Sequence, residues 1–210
     1  MIKNVVFDFG GVLIDADLER AIRSFQALGL ENTSDYLNLY RQNGIFLDLE
    51  DGSKNRAEFN DAFRALTGKW VPDEAIEDAW LSIVERVDLN RLRFLESLRE
   101  NYRLYLLSNI NPHVFEWAES ESFTELGKPI SYYFDELFAS YRLKMTKPSR
   151  EIFSYVLEKA GIKAEETLFV DDGQKNIETA KSMGFHVYQP LNREDWREKV
   201  TEILNANAGR

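Results

Sequence analysis

The stretch NVVFDFGGVLID, residues 4–15, decides how this chain folds. Its apolar run NVVFDF at 4–9 reads as a buried strand that carries a carboxylate, Asp8, near its end and leads into the pair Gly10-Gly11, which permits a tight turn. Three runs of the same kind follow, RLYLLSN at 103–109, TLFVDD at 167–172 and FHVYQP at 185–190, with a shorter one, FAS, at 138–140. Helical patterns alternate with the later runs. PSREIFSYVLEKAG at 148–161 has proline near its first turn and glycine at its end, and NIETAKSMG at 176–184 also stops at glycine. This alternation predicts an α/β core, a parallel sheet joined by right-handed crossovers.

The spacing is uneven. Between the first strand and the second lie the helical patterns DLERAIRSFQALG from 17, SDYLNLYRQNG from 34, RAEFNDAFRALTG from 56 and PDEAIEDAWLSIVERV from 72, far more than a crossover needs. A helical second domain over 15–89, inserted into a core of 1–14 and 90–210, is the economical reading. Its aromatic positions Tyr36, Tyr40, Phe59, Phe63, Trp70 and Trp80 read as packing stripes. There is no internal repeat, and of the whole chain only the tail ANAGR looks frayed.

Composition narrows the chemistry. With 210 residues, 44% hydrophobic and 30% charged, the chain reads as a globular protein, without the run of roughly 18 apolar residues that a membrane span requires. The start of the chain lacks the pattern of a signal peptide, so a cytoplasmic location is expected. Cysteine is absent, which excludes disulfides, thiolate metal sites and a cysteine nucleophile. With only two histidines, His113 and His186, any metal should be a hard cation held by carboxylates, which points to Mg²⁺. The net charge of −10 argues against nucleic acid as a partner. It also repels small anions at long range, so a phosphate site must be made locally by metal, lysine and backbone amides.

In an open parallel sheet, ligands bind at the carboxyl ends of the strands. The polar residues ending the strand runs should therefore converge: Asp8, then Ser108 with Asn109, then Asp171 with Asp172, with Lys147 just before a helix in KMTKPSREIF. Each alone has an ordinary reading, as a turn residue, a helix cap or an exposed lysine. Together they make one constellation.

These segments resemble a known family. FDFGGVL, LLSN, KPSREIF and FVDDGQKNI, in that order, are similar to the four motifs of the haloacid dehalogenase superfamily, in its branch with a helical cap inserted after the first strand. The resemblance covers essentially the whole chain. Within the superfamily, FDFGGVLID followed by LLSNIN and KP most resembles the sugar-phosphate phosphatases related to alpha-D-glucose-1-phosphate phosphatase. It implies a Rossmann-like core, a helical cap and Mg²⁺-dependent hydrolysis of a small phosphorylated metabolite by a monomer or weak dimer. Asp8 would attack phosphorus and form an aspartyl-phosphate, splitting one difficult hydrolysis into two steps. Mg²⁺ would be held by Asp8, the Gly10 backbone carbonyl, Asp172 and Asp171, direct or through water. Lys147, Ser108, the amides of Gly10 and Gly11, and Asn109 would contact the phosphate.

The resemblance fails at one position. Most phosphatases of the superfamily place a second Asp two residues after the nucleophile, to protonate the leaving oxygen and then activate water; here that residue is Gly10. General acid–base catalysis is worth about 10²–10⁴ in rate, so its loss slows an enzyme without necessarily silencing it. Either the leaving group is a good one, such as an anomeric sugar phosphate, or Asp15 or Asp17 supplies the proton. Two other readings stay open: a metal-independent 2-haloacid dehalogenase, which also lacks the second Asp, and a catalytically weak binding or regulatory protein. The acidic pair Asp171-Asp172 favours the phosphatase, because two carboxylates beside Asp8 repel one another unless a cation is bound. In related proteins a loop of the cap selects the substrate. GIFLDLEDGSK at 44–54 is the expected equivalent, with Glu50 and Asp51 suited to sugar hydroxyls and Lys54 or Arg56 to another charge. His113 lies near enough to the second strand's loop to reach the cleft, while His186 reads as core.

Overall fold

The structure, a computed structural model, describes residues 1–38 and 42–208. The chain opens with β1 (Asn4–Phe7), β2 (Ile14–Ala16), α1 (Leu18–Ala27), α2 (Gly44–Glu50), α3 (Arg56–Thr67), α4 (Asp73–Leu81) and β3 (Val84–Val87). It continues through α5 (Leu89–Leu98), β4 (Arg103–Ser108), α6 (Pro112–Ala118), β5 (Glu136–Ala139), α7 (Ser140–Leu143) and α8 (Arg150–Ala160). The last elements are β6 (Thr167–Val170), α9 (Gln174–Ser182), β7 (His186–Tyr188) and α10 (Arg197–Ala206). Among the described residues no helix is long and apolar enough to cross a membrane.

Five strands form one parallel sheet in the order β5-β4-β1-β6-β7. β1 is buried at every position and lies in the middle, in register with Arg103–Leu106 on one side and Thr167–Val170 on the other. Strands buried on both faces need apolar residues throughout, which is why NVVF, LYLL and TLFV read as continuous runs and not as alternations. One face packs Phe153, Val156 and Phe185 against Val6, Tyr105 and Phe169; the other packs Trp196, Val200 and Leu92 against Val5, Phe7 and Leu106. The helices end where their caps dictate. α8 is capped by Ser149 and stopped by Gly161 in the left-handed region, and α3 begins with an Asn55/Glu58 capping box and stops at Gly68.

Between β2 and β3 the chain runs through α1–α4, whose inner faces meet in an aromatic cluster of Phe25, Phe46, Phe59, Phe63 and Trp80. Tyr36 packs on Phe46, but Trp70 is 81% exposed and takes no part in a packing stripe. Tyr40 lies outside the described residues. β2 and β3 pair antiparallel in a two-stranded ribbon that carries both chain connections to this helical segment. The ribbon departs from the sequence expectation: the helical pattern from 72 ends at Leu81, and Val84–Val87 continues as a strand. Two further corrections concern the same region. The expected helix from 34 is a 3₁₀ turn over Thr33–Asp35, with 39–41 outside the described residues, and the expected loop at 44–54 begins as α2.

Candidate active site

β1, β4 and β6 are neighbours, and the chain leaves β1 for β4 on one side and reaches β6 on the other, so the strand order reverses there. Asp8, Ser108 and the pair Asp171-Asp172 stand at or just beyond the carboxyl ends of these three strands. Lys147 enters from the segment before α8, preceding Pro148 through a cis peptide bond. Its ammonium is buried and donates to the Leu107 carbonyl at 2.9 Å, to Asp171 Oδ2 at 2.6 Å and to Asp8 Oδ1 at 2.9 Å. Three N–H groups meet three oxygens, which fixes the head group.

The supporting contacts are equally specific. Asn109 clamps the Lys147 backbone, donating to its carbonyl at 2.9 Å and accepting from its N–H at 2.8 Å. Asn109 thus positions Lys147, and it also lines the cavity described below. Asp171 Oδ1 accepts from Gly173 N at 2.8 Å and Asn176 Nδ2 at 2.9 Å, so Asp171 orients both Lys147 and the turn after β6. Nothing in the sequence marked Asn176 beforehand except its place in DDGQKNI. Gly11 has φ +71°, and a Cβ there would lie 2.3 Å from Asp172 Oδ2, so glycine is what lets the β1 turn and Asp172 come together.

The charges do not balance. Burial pushes the Asp8 carboxyl up to about 6, against the pull of Lys147 and with the added push of Asp171. Ser108 contributes a hydrogen bond that favours the ionised form of Asp8. Burial, with Asp8 and Asp171 nearby, pushes Asp172 up to about 7. Burial alone would push Lys147 down, but Asp171 and Asp8 hold it above the ordinary lysine range. Three carboxylates thus share one ammonium, and oxygens of Asp8, Asp171 and Asp172 all lie within 4.8 Å of one another. An all-oxygen donor set with surplus negative charge fits a hard divalent cation such as Mg²⁺.

A cavity of about 650 Å³ opens over this cluster. Asp8, Gly10, Gly11, Ser108, Asn109, Lys147 and Asp172 line it from the core, and Leu37, Gln42, Glu50, Trp80 and Ile83 line it from the inserted segment. Its size is that of a small-molecule site.

Several sequence candidates are placed elsewhere. Asp15 is 3% exposed, accepts from Arg91 Nη1 at 2.7 Å and Arg86 Nε at 2.8 Å, and does not line the cavity. Asp17 caps α1, accepting from Arg20 N at 2.9 Å, and is also absent from the cavity wall. Each carboxylate is thus engaged by a structural partner and stands off the cavity wall. Arg56 pairs with Glu77 and Glu116, Lys54 with Asp48, and Asp51 accepts from Ser53 N, so of the expected selecting loop only Glu50 reaches the cavity. His113 is fully buried against Trp80 and Phe59, and burial pushes it down to about 4, which keeps it neutral. His186 is only partly buried on the edge strand, with Nε2 3.2 Å from the Glu165 carbonyl.

Comparison with known proteins gives concordant results. The family model for haloacid dehalogenase-like hydrolases matches residues 2–184. The chain is 45% identical over 206 residues to the D-ribitol-5-phosphate phosphatase of Bacteroides thetaiotaomicron, covering 98% of this chain and 100% of that protein. Among solved structures it resembles a predicted HAD-like family hydrolase from Porphyromonas gingivalis at a TM-score of 0.93 and 40% identity, covering 97% of this chain and 98% of that one. A HAD family enzyme from Bacteroides thetaiotaomicron, a variant solved with magnesium and inorganic phosphate, gives a TM-score of 0.91 at 38% identity, covering 95% of this chain and 99% of that one.

Proposed function

This chain belongs to the haloacid dehalogenase-like hydrolases, and from that membership we propose a role for each residue of its site. The protein is a Mg²⁺-dependent phosphohydrolase acting on a small sugar or sugar-alcohol phosphate. The observation that carries this reading is the triad of Asp8, just beyond the central strand β1, and Asp171 with Asp172, just beyond the neighbouring β6, their oxygens within 4.8 Å of one another. A metal-independent dehalogenase has no use for Asp172, whose charge costs free energy beside Asp8 unless a cation compensates it.

Asp8 attacks phosphorus and the ester oxygen leaves, giving an aspartyl-phosphate; water then attacks that phosphorus and frees the Asp8 carboxylate and inorganic phosphate. Lys147 and the Ser108 hydroxyl, both in contact with Asp8, face the space the phosphoryl oxygens occupy as charge develops on them. The amides of the Gly10-Gly11 turn face the same space. Asp171 and Asn109 hold Lys147 in place throughout. Asp8, the Gly10 backbone carbonyl and Asp172, with Asp171 direct or through water, would hold Mg²⁺, which would supply the positive charge that lets a carboxylate approach a phosphate dianion.

Residues 15–89 act as a cap over this site, in a chain divided into a core of 1–14 and 90–210 and that insertion. Closure of the cap on the core excludes water and orders the substrate. In this reading the protein works as a monomer or weak dimer on a small phosphorylated cytoplasmic metabolite. Identity of 45% with a D-ribitol-5-phosphate phosphatase makes a pentitol phosphate the first substrate to try.

The test is phosphate release from ribitol 5-phosphate, glucose 1-phosphate and glucose 6-phosphate, with and without Mg²⁺, using Asp8→Asn as control. Metal-dependent release that disappears in Asp8→Asn is expected. Halide release from a 2-haloacid without metal, and no phosphate release, would overturn the reading.

A further inference from the structure

The phosphatase reading leaves the reaction without a proton donor, since Gly10 has no side chain and Asp15 and Asp17 are committed elsewhere. Among the described residues four carboxyls line the cavity: Asp8, Asp172, Glu178 and Glu50. Asp8 and Asp172 belong to the acidic cluster, and Glu178 sits exposed on α9, accepting from Gln174 Nε2 at 2.8 Å. Glu50 remains. It is the last residue of α2, partly buried, and lines the same cavity as Asp8 and Lys147.

The core grips this end of α2. Ser140 Oγ donates to the Glu50 carbonyl at 2.7 Å, accepts from Ile110 N at 3.0 Å and lies 3.2 Å from the Ile110 carbonyl. Ile110 is two residues beyond Ser108, so Glu50 is tied through one hydroxyl to the loop that carries a phosphate ligand. Two residues later, Gly52 has φ +76° and runs so close to Tyr141 that a Cβ there would lie 2.1 Å from its carbonyl oxygen. A glycine and a buried serine thus dock the end of α2 against the core.

We propose that Glu50, presented from the helical insertion, is the acid and base of this enzyme, taking the duty that Gly10 cannot perform. The proposal rests on the phosphatase reading and deepens it. In the first step the bond from Asp8 oxygen to phosphorus forms, the bond from phosphorus to the ester oxygen breaks, and that oxygen takes the Glu50 proton to leave as the alcohol. In the second step Glu50 carboxylate takes a proton from water as its oxygen bonds to phosphorus. The Asp8 oxygen leaves as carboxylate, and Glu50 is again protonated.

The setting suits both roles. Burial pushes Glu50 up to about 7, against the attraction of Lys147 and with the repulsion of Asp8 and Asp51, so both forms are populated at neutral pH. Gln42 contributes a hydrogen bond to the ionised form. On the helices packed against α2, Arg56 is paired with Glu77 and Glu116, and Arg142 of α7 with Glu119, leaving Lys147 as the cation that acts on Glu50.

The experiment compares wild type, Glu50→Gln and Glu50→Asp with ribitol 5-phosphate, whose alkoxide must be protonated, and p-nitrophenyl phosphate, whose phenolate need not be. Glu50→Gln should lose about 10²–10⁴-fold in turnover of the alkyl ester and lose the pH dependence that wild type shows near neutrality. With p-nitrophenyl phosphate it should keep a burst of one nitrophenol per enzyme and then stall as aspartyl-phosphate accumulates. Glu50→Asp should regain part of the turnover together with its pH dependence. Retention of the Mg²⁺-induced rise in Tm shows that the variants are folded. An unchanged pH profile with only KM raised, or equal loss of burst and turnover with both esters, would overturn the proposal and leave Glu50 as a substrate contact. Failure of wild type to release phosphate from either ester would instead overturn the phosphatase reading beneath it.

Discussion

Asp172 shows most plainly how a single residue trades stability for function. Its carboxyl is raised from 3.8 to about 7 by burial and by Asp8 and Asp171. A group with a raised folded pKa binds more protons folded than unfolded, so without metal its favourable contribution is complete below about pH 4 and is lost as pH rises to about 7. Asp172→Asn should therefore melt at a higher temperature than wild type in EDTA at about pH 8, by roughly 2–4 °C per kcal/mol of repulsion removed. It should also lose the Mg²⁺-induced rise in Tm. Thermal denaturation with and without Mg²⁺ checks both, and a variant that melts lower in EDTA would mean that Asp172 is a structural partner and not an uncompensated charge. Asp15 makes the opposite case. Asp15→Asn leaves Arg91, 1% exposed, without its counter-charge and should cost about 3–5 kcal/mol, while the pH dependence of turnover stays as in wild type. Asp17→Asn should be nearly neutral, because Asn caps a helix about as well as Asp. A shifted pH profile in either variant would return it to the list of candidate acids. Asp8, Ser108 and the acidic pair could be picked out in the sequence because each ends a strand run, and Lys147 because it stands just before a helix. The fate of Asp15 was not, since Arg91 lies 76 positions away and belongs to a helix whose pattern gives no hint of an ion pair.

At the level of elements, α2 is the piece that the sequence did not reveal and on which the proposed role of Glu50 depends. The seven residues GIFLDLE are too few to show a helical period, and they precede a loop rich in turn residues, so the whole segment reads as loop. Only the aromatic cluster around Phe46 and the grip of Ser140 make the segment helical and aim its end at the core. The β2–β3 ribbon was hidden for a related reason: strands of three and four residues give no pattern of their own, and Val84–Val87 continues the apolar spacing of α4. The five-stranded core was readable because its central strands are apolar throughout and its α8 carries explicit start and stop signals. Gly52→Ala tests the docking of α2. The added Cβ would meet the Tyr141 carbonyl and shift the end of the helix away from the cavity. Turnover should fall while Mg²⁺-induced stabilisation is retained, because the metal cluster belongs to the sheet. Equal losses of turnover and of Mg²⁺ response would show that α2 and the cluster are not separate in this way.

On the scale of the whole molecule, a net charge of −10 surrounds a site that must admit a phosphate dianion. The local cation of Lys147, with Mg²⁺, overcomes a field that repels the substrate at distance. Salt screens exposed charges beyond a Debye length of about 10 Å at 0.1 M, so at saturating Mg²⁺ kcat/KM should rise modestly with added KCl from low ionic strength. A steep fall would mean that the mouth of the cavity, and not the total charge, governs approach. The central claim, that Asp8 becomes phosphorylated, is tested most directly by trapping the intermediate. Wild-type protein turning over substrate in Mg²⁺ is quenched in acid, digested and analysed by mass spectrometry. The peptide containing Asp8 should carry one phosphoryl group, absent without Mg²⁺ and absent in Asp8→Asn. Phosphate released at full rate while that peptide stays unmodified in Glu50→Gln, where the intermediate should accumulate, would contradict the account.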